Sequence, residues 1–135
     1  MEELLLTLPG AKALIKRFGR WPSFHDAEVV SLSLNRKGAS TLTLHIFRMT
    51  SQVDERGHYV CDLHTLVTFS FGEILGINLV DFNHQNVISE LEIGKTEAGL
   101  EVILHPCFGL AGTIRTSSIS ISFADGLREG SVYST

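Results

Sequence analysis

Hydrophobic and polar positions along the chain change period once, near residue 20. Before that point Ala11, Leu14, Ile15 and Phe18 fall at helical spacing, with Lys12, Lys16 and Arg17 off the apolar face. Pro9 suits a first helical turn, where its missing N–H costs nothing, and Gly19 suits the position just past a helix end. The spacing predicts a helix over about 9–18. Beyond it the alternation is two-fold. Val30, Leu32 and Leu34 share one face, Ser31 and Ser33 the other, and Thr41 to Phe47 alternates again after a turn at 35–40, which predicts a hairpin. Residues 51–57 read as a second turn. Residues 58–71 read as one long strand, with Tyr59, Cys61, Leu63, Thr65, Val67, Phe69 and Phe71 on one parity. Gly76 to Phe82 is strand-like, Val87–Gly94 and Leu100–His105 flank a turn at 95–99, and Ile119 to Phe123 alternates without interruption after Gly112-Thr113-Ile114. The Gly- and Ser-rich tail from Asp125 is expected to fray.

These elements predict an α+β protein: a short N-terminal helix followed by about seven mainly antiparallel strands. No strand–helix–strand rhythm calls for parallel pairing. The sheet should be strongly bent, or split into two packed sheets, with the helix against an edge or open end. A chain of 135 residues fits a single domain, 1–135.

Composition narrows the function classes. Apolar residues make up 44% and charged residues 19%, which suits a globular fold rather than a disordered one. The net charge of −4 argues against nucleic acid or an anionic membrane as the main partner, because both need clustered cations, and only Lys12, Lys16, Arg17 and Arg20 cluster. The acidic start Met1-Glu2-Glu3 and the early break at Pro9-Gly10 do not suit a secretory signal, and no apolar run reaches the roughly 20 residues of a membrane span. A cytoplasmic protein is the expectation. Cys61 and Cys107 read as small buried hydrophobes rather than a disulfide framework.

Candidate chemistry concentrates in Trp21-Pro22-Ser23-Phe24-His25-Asp26-Ala27-Glu28. One reading is structural, with Trp21 and Phe24 plugging the core and Ser23 and Asp26 bonding turn amides. The other is functional. Asp26 and Glu28 share parity with Val30, Leu32 and Leu34, which puts two carboxylates beside His25 on the core side, at an open end of the sheet. His25 with Asp26 or Glu28 then offers an acid–base pair, or the three orient a small ligand in a pocket lined by Phe47, Phe69 and Phe71. The six histidines include no H-E-x-x-H, and His58 and His64 lie too far apart along a strand to share an ion, so no metal and no cofactor is expected. Gly94-Lys95-Thr96 lacks the upstream glycine of a phosphate loop, and His105-Pro106-Cys107 lacks the second cysteine of a zinc deaminase motif. Acidic groups spread through the second half of the chain suit a basic protein partner, and the long strand 58–71 is a candidate edge for a homodimer.

The run Arg20-Trp21-Pro22-Ser23-Phe24-His25-Asp26-Ala27-Glu28-Val29, followed by an alternating strand, resembles the immunity protein 50 family of bacterial polymorphic-toxin systems. The resemblance rests on about ten residues, together with the size and the helix-then-strands pattern. It implies a non-enzymatic intracellular protein that binds and blocks a cognate toxin. It assigns no contact residue to Trp21, Phe24, His25, Asp26 or Glu28.

Overall fold

The computed structural model describes residues 2–126. Two short helices, α1 (Glu2–Thr7) and α2 (Ala11–Phe18), precede eight strands. These are β1 (Ala27–Ser33), β2 (Ser40–Val53), β3 (Tyr59–Phe71), β4 (Ile74–Val80), β5 (Val87–Lys95), β6 (Leu100–Phe108), β7 (Ala111–Thr116) and β8 (Ile119–Asp125). All pair antiparallel in one sheet of order β4-β7-β6-β5-β1-β2-β3-β8. The protein is therefore mostly antiparallel β-sheet with two short helices.

The order forces the sheet to curl. β3 and β4 lie six places apart in it, as do β7 and β8. In a flat sheet each pair would be separated by roughly 29 Å, at about 4.8 Å per strand. Yet Gly72-Glu73 alone joins β3 to β4, and Ser117-Ser118 alone joins β7 to β8. Each link spans three Cα steps, about 11 Å at most. The two ends of the sheet must therefore meet where these links cross. There Gly72 N–H donates to Ser118 O at 3.0 Å, Ser117 N–H to Glu73 O at 2.9 Å, and Glu73 N–H to Ser117 Oγ at 2.8 Å. A Cβ on Gly72 would lie 2.5 Å from both serine hydroxyls.

Curling turns one face of every strand inward. Leu42, Leu44 and Ile46 of β2 meet Val67, Phe69 and Phe71 of β3, together with Leu91 and Ile93 of β5, Val102 and Leu104 of β6, Ile114 of β7 and Ile121 of β8, in one buried cluster. β2, β3, β5 and β6 contribute alternate positions, as half-buried strands should. The helices add Leu5, Ala11 and Leu14 to the same cluster, and Leu8 between them joins it too. α2 packs against the edge strand β8. It ends at Gly19, whose φ of 81° is the left-handed stop that glycine favours. Gly10, at φ 89°, opens the helix, and a Cβ there would overlap the carbonyl oxygen of Ile121. Pro9 lies between the helices rather than inside one, and its carbonyl accepts Ile121 N–H at 2.7 Å.

Several sequence expectations change. α1 is an additional helix, and the strands number eight rather than about seven. β2 runs six residues beyond Phe47 because the β2–β3 hairpin continues past its neighbours to a turn at 54–58. β3 is not a sheet edge, since Thr65–Phe71 pair with β8. Cys61 is half-buried and Cys107 exposed, so neither is a core residue, because both sit where their strands outrun the packed centre of the sheet. Asp125 closes β8 by pairing with Thr65, and the rest of the tail from residue 127 lies outside the described residues.

Gly10→Ala is expected to destabilise the fold by about 2–4 kcal/mol, since it adds both backbone strain and a clash with a strand carbonyl. Urea unfolding of the variant against the parent chain measures this, and a change below about 0.5 kcal/mol would show that the helix entry is not pinned to β8.

Candidate functional site

Residues 21–28 form the seam between two halves of the sheet, β1-β2-β3-β8 and β4-β7-β6-β5. The halves share only the pairs Ala27–Ile88 and Glu28–Val87. Two backbone bonds extend that short ladder: Asp26 N–H to Ile88 O at 2.9 Å, and Val29 N–H to Asn86 O at 2.8 Å. Asp26 takes φ 63°, a left-handed conformation that aspartate tolerates better than most residues, and Ala27 N–H closes the turn on Phe24 O. The Phe24 ring lies 5.7 Å from Trp21 and 5.8 Å from Phe69, so the segment is anchored in the core by aromatic packing. Asn86 is buried and bonds through both ends of its amide. Its Oδ1 accepts Leu110 N–H at 2.9 Å and Asn83 N–H at 3.1 Å, and its Nδ2 donates to Asn83 O.

The polar groups of the segment do not converge on the core. A bulge at Val30 breaks the alternation of β1, so Ala27 and Val29 point inward before it and Leu32 after it. Glu28 lies opposite His45 on the outer face, and Val30 and Leu34 are exposed. The parity shared by Asp26, Glu28, Val30, Leu32 and Leu34 thus does not survive in the fold. His25 has a side chain 64% exposed, with Nδ1 3.3 Å from Ser89 O and Nε2 3.5 Å from Asp26 Oδ2. Ser23 Oγ accepts the His25 backbone N–H. Beside them lies a recess of about 210 Å³ lined by Trp21, Pro22, His25, Ser89 and Glu90. The proposed aromatic lining is also dispersed: Phe69 and Phe71 are core residues, while Phe47 lies across the sheet on the outer face.

Three arrangements escape the sequence pattern. On the outer face, buried His45 bonds through Nε2 to Nδ1 of His64 at 3.0 Å, with the rings stacked at 5.2 Å and Phe47 5.9 Å from each. A bulge that includes Leu63, at φ 50°, sets His64 into this place. Such a bond needs one donor and one acceptor nitrogen. On β5 and β6, Glu90, Glu92 and His105 bring ligand atoms within 4.8 Å of one another, an arrangement able to hold a divalent cation. His105 Nε2 approaches Glu92 Oε1 at 3.3 Å without hydrogen-bond alignment. Cross-strand register makes this cluster, which no spacing in the sequence reveals: Glu90 lies opposite His105.

The third is a two-stranded arm, residues 48–62, with no further strand neighbour on either side among the described residues. Arg48 and Asp62 join its strands by a bidentate pair at 2.8 and 2.7 Å. The Arg48 guanidinium holds the Asp62 carboxyl below the usual carboxylate range, first by hydrogen bonding and then by charge, and Asp62 in turn raises Arg48. At the tip Asp54 is lowered mainly by the backbone N–H of His58, with that of Arg56 adding to it. Beyond these polar braces the arm exposes Met49, Val53 and Tyr59.

The structure is thus a small curled sheet with an aromatic-anchored seam, an exposed His25–Asp26 pair at that seam and an exposed two-stranded arm. The model of the family described as Immunity protein 50 matches residues 10–125, and the chain belongs to that family. Neither a curated protein nor a solved structure matches the chain. Among the described residues no helix is long and apolar enough to cross a membrane.

Phe24→Ala is expected to cost about 3–5 kcal/mol in urea unfolding, whereas His25→Ala should stay within about 0.5 kcal/mol. The reverse order would mean that the histidine, not the aromatic, holds the seam. The two aspartates of the arm, with native values below the ordinary range, stabilise the fold above that range. Their contribution disappears as pH falls through the depressed native values, below about pH 4. Asp62→Asn should therefore lower the melting temperature near neutrality, with the two curves converging toward about pH 2. A constant gap across this range would rule out charge as the source.

Proposed function

We propose that this protein is a non-enzymatic inhibitor that binds a cognate bacterial toxin, and that arm 48–62 is its main contact surface. The observation that carries the surface is the exposure of Met49, Val53 and Tyr59 on a ribbon braced by Arg48–Asp62. Aromatic side chains and methionine are enriched at protein interfaces, and a braced ribbon loses little freedom on binding. Family membership supports the toxin partner. The acidic face bearing Glu90, Glu92 and Glu101 around a concavity of about 420 Å³, together with the net charge of −4, suits a basic partner by steering its approach. On this reading the segment Trp21, Phe24, His25, Asp26 and Glu28 serves the scaffold, and the whole chain 1–135 acts as one domain in the cytoplasm. The recess at His25 is smaller than the roughly 300–1,000 Å³ of ordinary ligand pockets, which disfavours the small-molecule reading.

The tagged chain should capture one stoichiometric protein from cells of its source. That purified protein, titrated calorimetrically with the chain, should lose its toxic activity at equivalence. Tyr59→Ala should weaken this binding at least about tenfold while leaving the melting temperature unchanged. A captured protein whose activity persists at saturation would refute the inhibitor reading. Undiminished affinity of Tyr59→Ala and Met49→Ala would move the contact away from the arm.

A further inference from the structure

The outer face of the β5–β6 hairpin carries a side-chain cluster that neither the seam nor the arm uses. Leu91 and Leu104 pair on the inner face and are buried, so Glu90, Glu92 and His105 beside them turn outward. Glu90 stands directly opposite His105, and Glu92 lies one diagonal step along, opposite Ile103. Ser89 Oγ donates to His105 O at 3.2 Å, which ties the two strands where their register shifts. Each of the three side chains offers one ligand atom, and these atoms lie within 4.8 Å of one another. A second observation comes from the histidine alone. The His105 side chain is 43% exposed, yet its Nε2 is closed off from solvent and has no hydrogen-bond partner among the described residues. Glu92 Oε1 lies 3.3 Å from it, out of hydrogen-bond alignment. A ring nitrogen hidden from water without a partner costs free energy.

We propose that Glu90, Glu92 and His105 bind one divalent transition-metal ion of the zinc type. A proton on Nε2 would serve Glu92 alone, and with poor alignment. An ion serves all three groups at once: it takes the imidazole lone pair and offsets two neighbouring carboxylate charges. The imidazole selects zinc and its neighbours over magnesium or calcium, which prefer oxygen ligands only. Spacing agrees. Bonds of about 2.0–2.2 Å place adjacent ligands of a tetrahedral ion roughly 3.4 Å apart. The Nε2 to Oε1 distance is 3.3 Å. Three protein ligands leave a fourth position to water, and the concavity of about 420 Å³ against Glu90 and Glu92 has room for it. Sequence spacing gave no reason to expect a metal because the ligands come from two strands and meet only through their register. The site lies apart from arm 48–62 and needs no toxin, so it goes beyond the inhibitor reading and stands or falls separately from it.

The test uses the chain alone, freed of metal by chelation and dialysis, with zinc chloride as the probe. Calorimetric titration should show one ion bound per chain with micromolar or tighter affinity. The melting temperature should rise with zinc concentration, since the three ligands come together only in the folded hairpin. In NMR the ring nitrogens of His105 should shift on zinc addition while those of His58, on the arm, stay in place. Glu90→Gln, Glu92→Gln and His105→Gln, all at outward positions, should each weaken binding at least about tenfold with the metal-free melting temperature little changed. Cys107→Ser removes the thiol two residues from His105 and should leave the affinity unchanged. No saturable binding up to millimolar zinc overturns the proposal and leaves His105 to pair with Glu92 as a protonated ring. So does binding that all three glutamine variants retain, or binding lost with Cys107→Ser, since either places the ion elsewhere.

Discussion

Closing the sheet on itself is the constraint from which the rest of this structure follows. Two links of two residues each, 72–73 and 117–118, join strands that a flat sheet would hold far apart. Once both links are satisfied, the inner faces of all the strands must look at one another, and a single apolar cluster becomes the only place for them. The hydrogen bonds at the crossing matter for the same reason. They hold in place backbone groups that the turn removes from any ladder, and an unpaired buried amide costs about as much as a lost hydrogen bond. Gly72 suits this crossing because a side chain there would displace the serine hydroxyls that help tie it.

The curl has a weak line opposite the crossing, where β1 and β5 share only two residue pairs. The segment from Trp21 to Val29 strengthens it. Its backbone bonds to Ile88 and Asn86, and its rings enter the core through Phe24. A segment with so much backbone and apolar duty has few side-chain atoms left for a partner. Exposed Ser23 and His25 and half-exposed Asp26 are exceptions, and His25 has a backbone carbonyl and the Asp26 carboxylate as neighbours. The richest stretch of chemistry in the sequence is thus read most economically as a joint.

Much of this architecture was legible from period alone. Helical spacing gave α2, whose end at Phe18 and stop at Gly19 follow from residue type. Two-fold alternation gave β1, β3, β5 and β8 to within about two residues at each end. What failed were features that depend on register between strands. The bulge at Val30 has no signature in a run of Val and Leu, yet it sends Glu28 outward to face His45. His45 sits among threonines on what reads as a wet face, and its bond to His64 helps make its burial tolerable. Likewise strand 58–71 resembled an edge because nothing in its composition records that β8 returns beside it. The pairing of distant segments, not local preference, decided each case.

Division of labour follows from these same geometric facts. On the proposed reading, an inhibitor must hold its shape while offering a surface fitted to one partner. Seam and crossing supply the shape, because their groups are spent on one another. On that reading arm 48–62 supplies the surface: among the described residues no strand beyond its own two pairs with it, and Met49, Val53 and Tyr59 are exposed and outside the buried cluster. Arg48 and Asp62 remove the flexibility that such independence would otherwise bring. Rigidity imposed locally lets an arm remain outside the core and still present a fixed face, which lowers the entropic cost of binding. The fold thereby separates the residues that keep it closed from those free to choose what it meets.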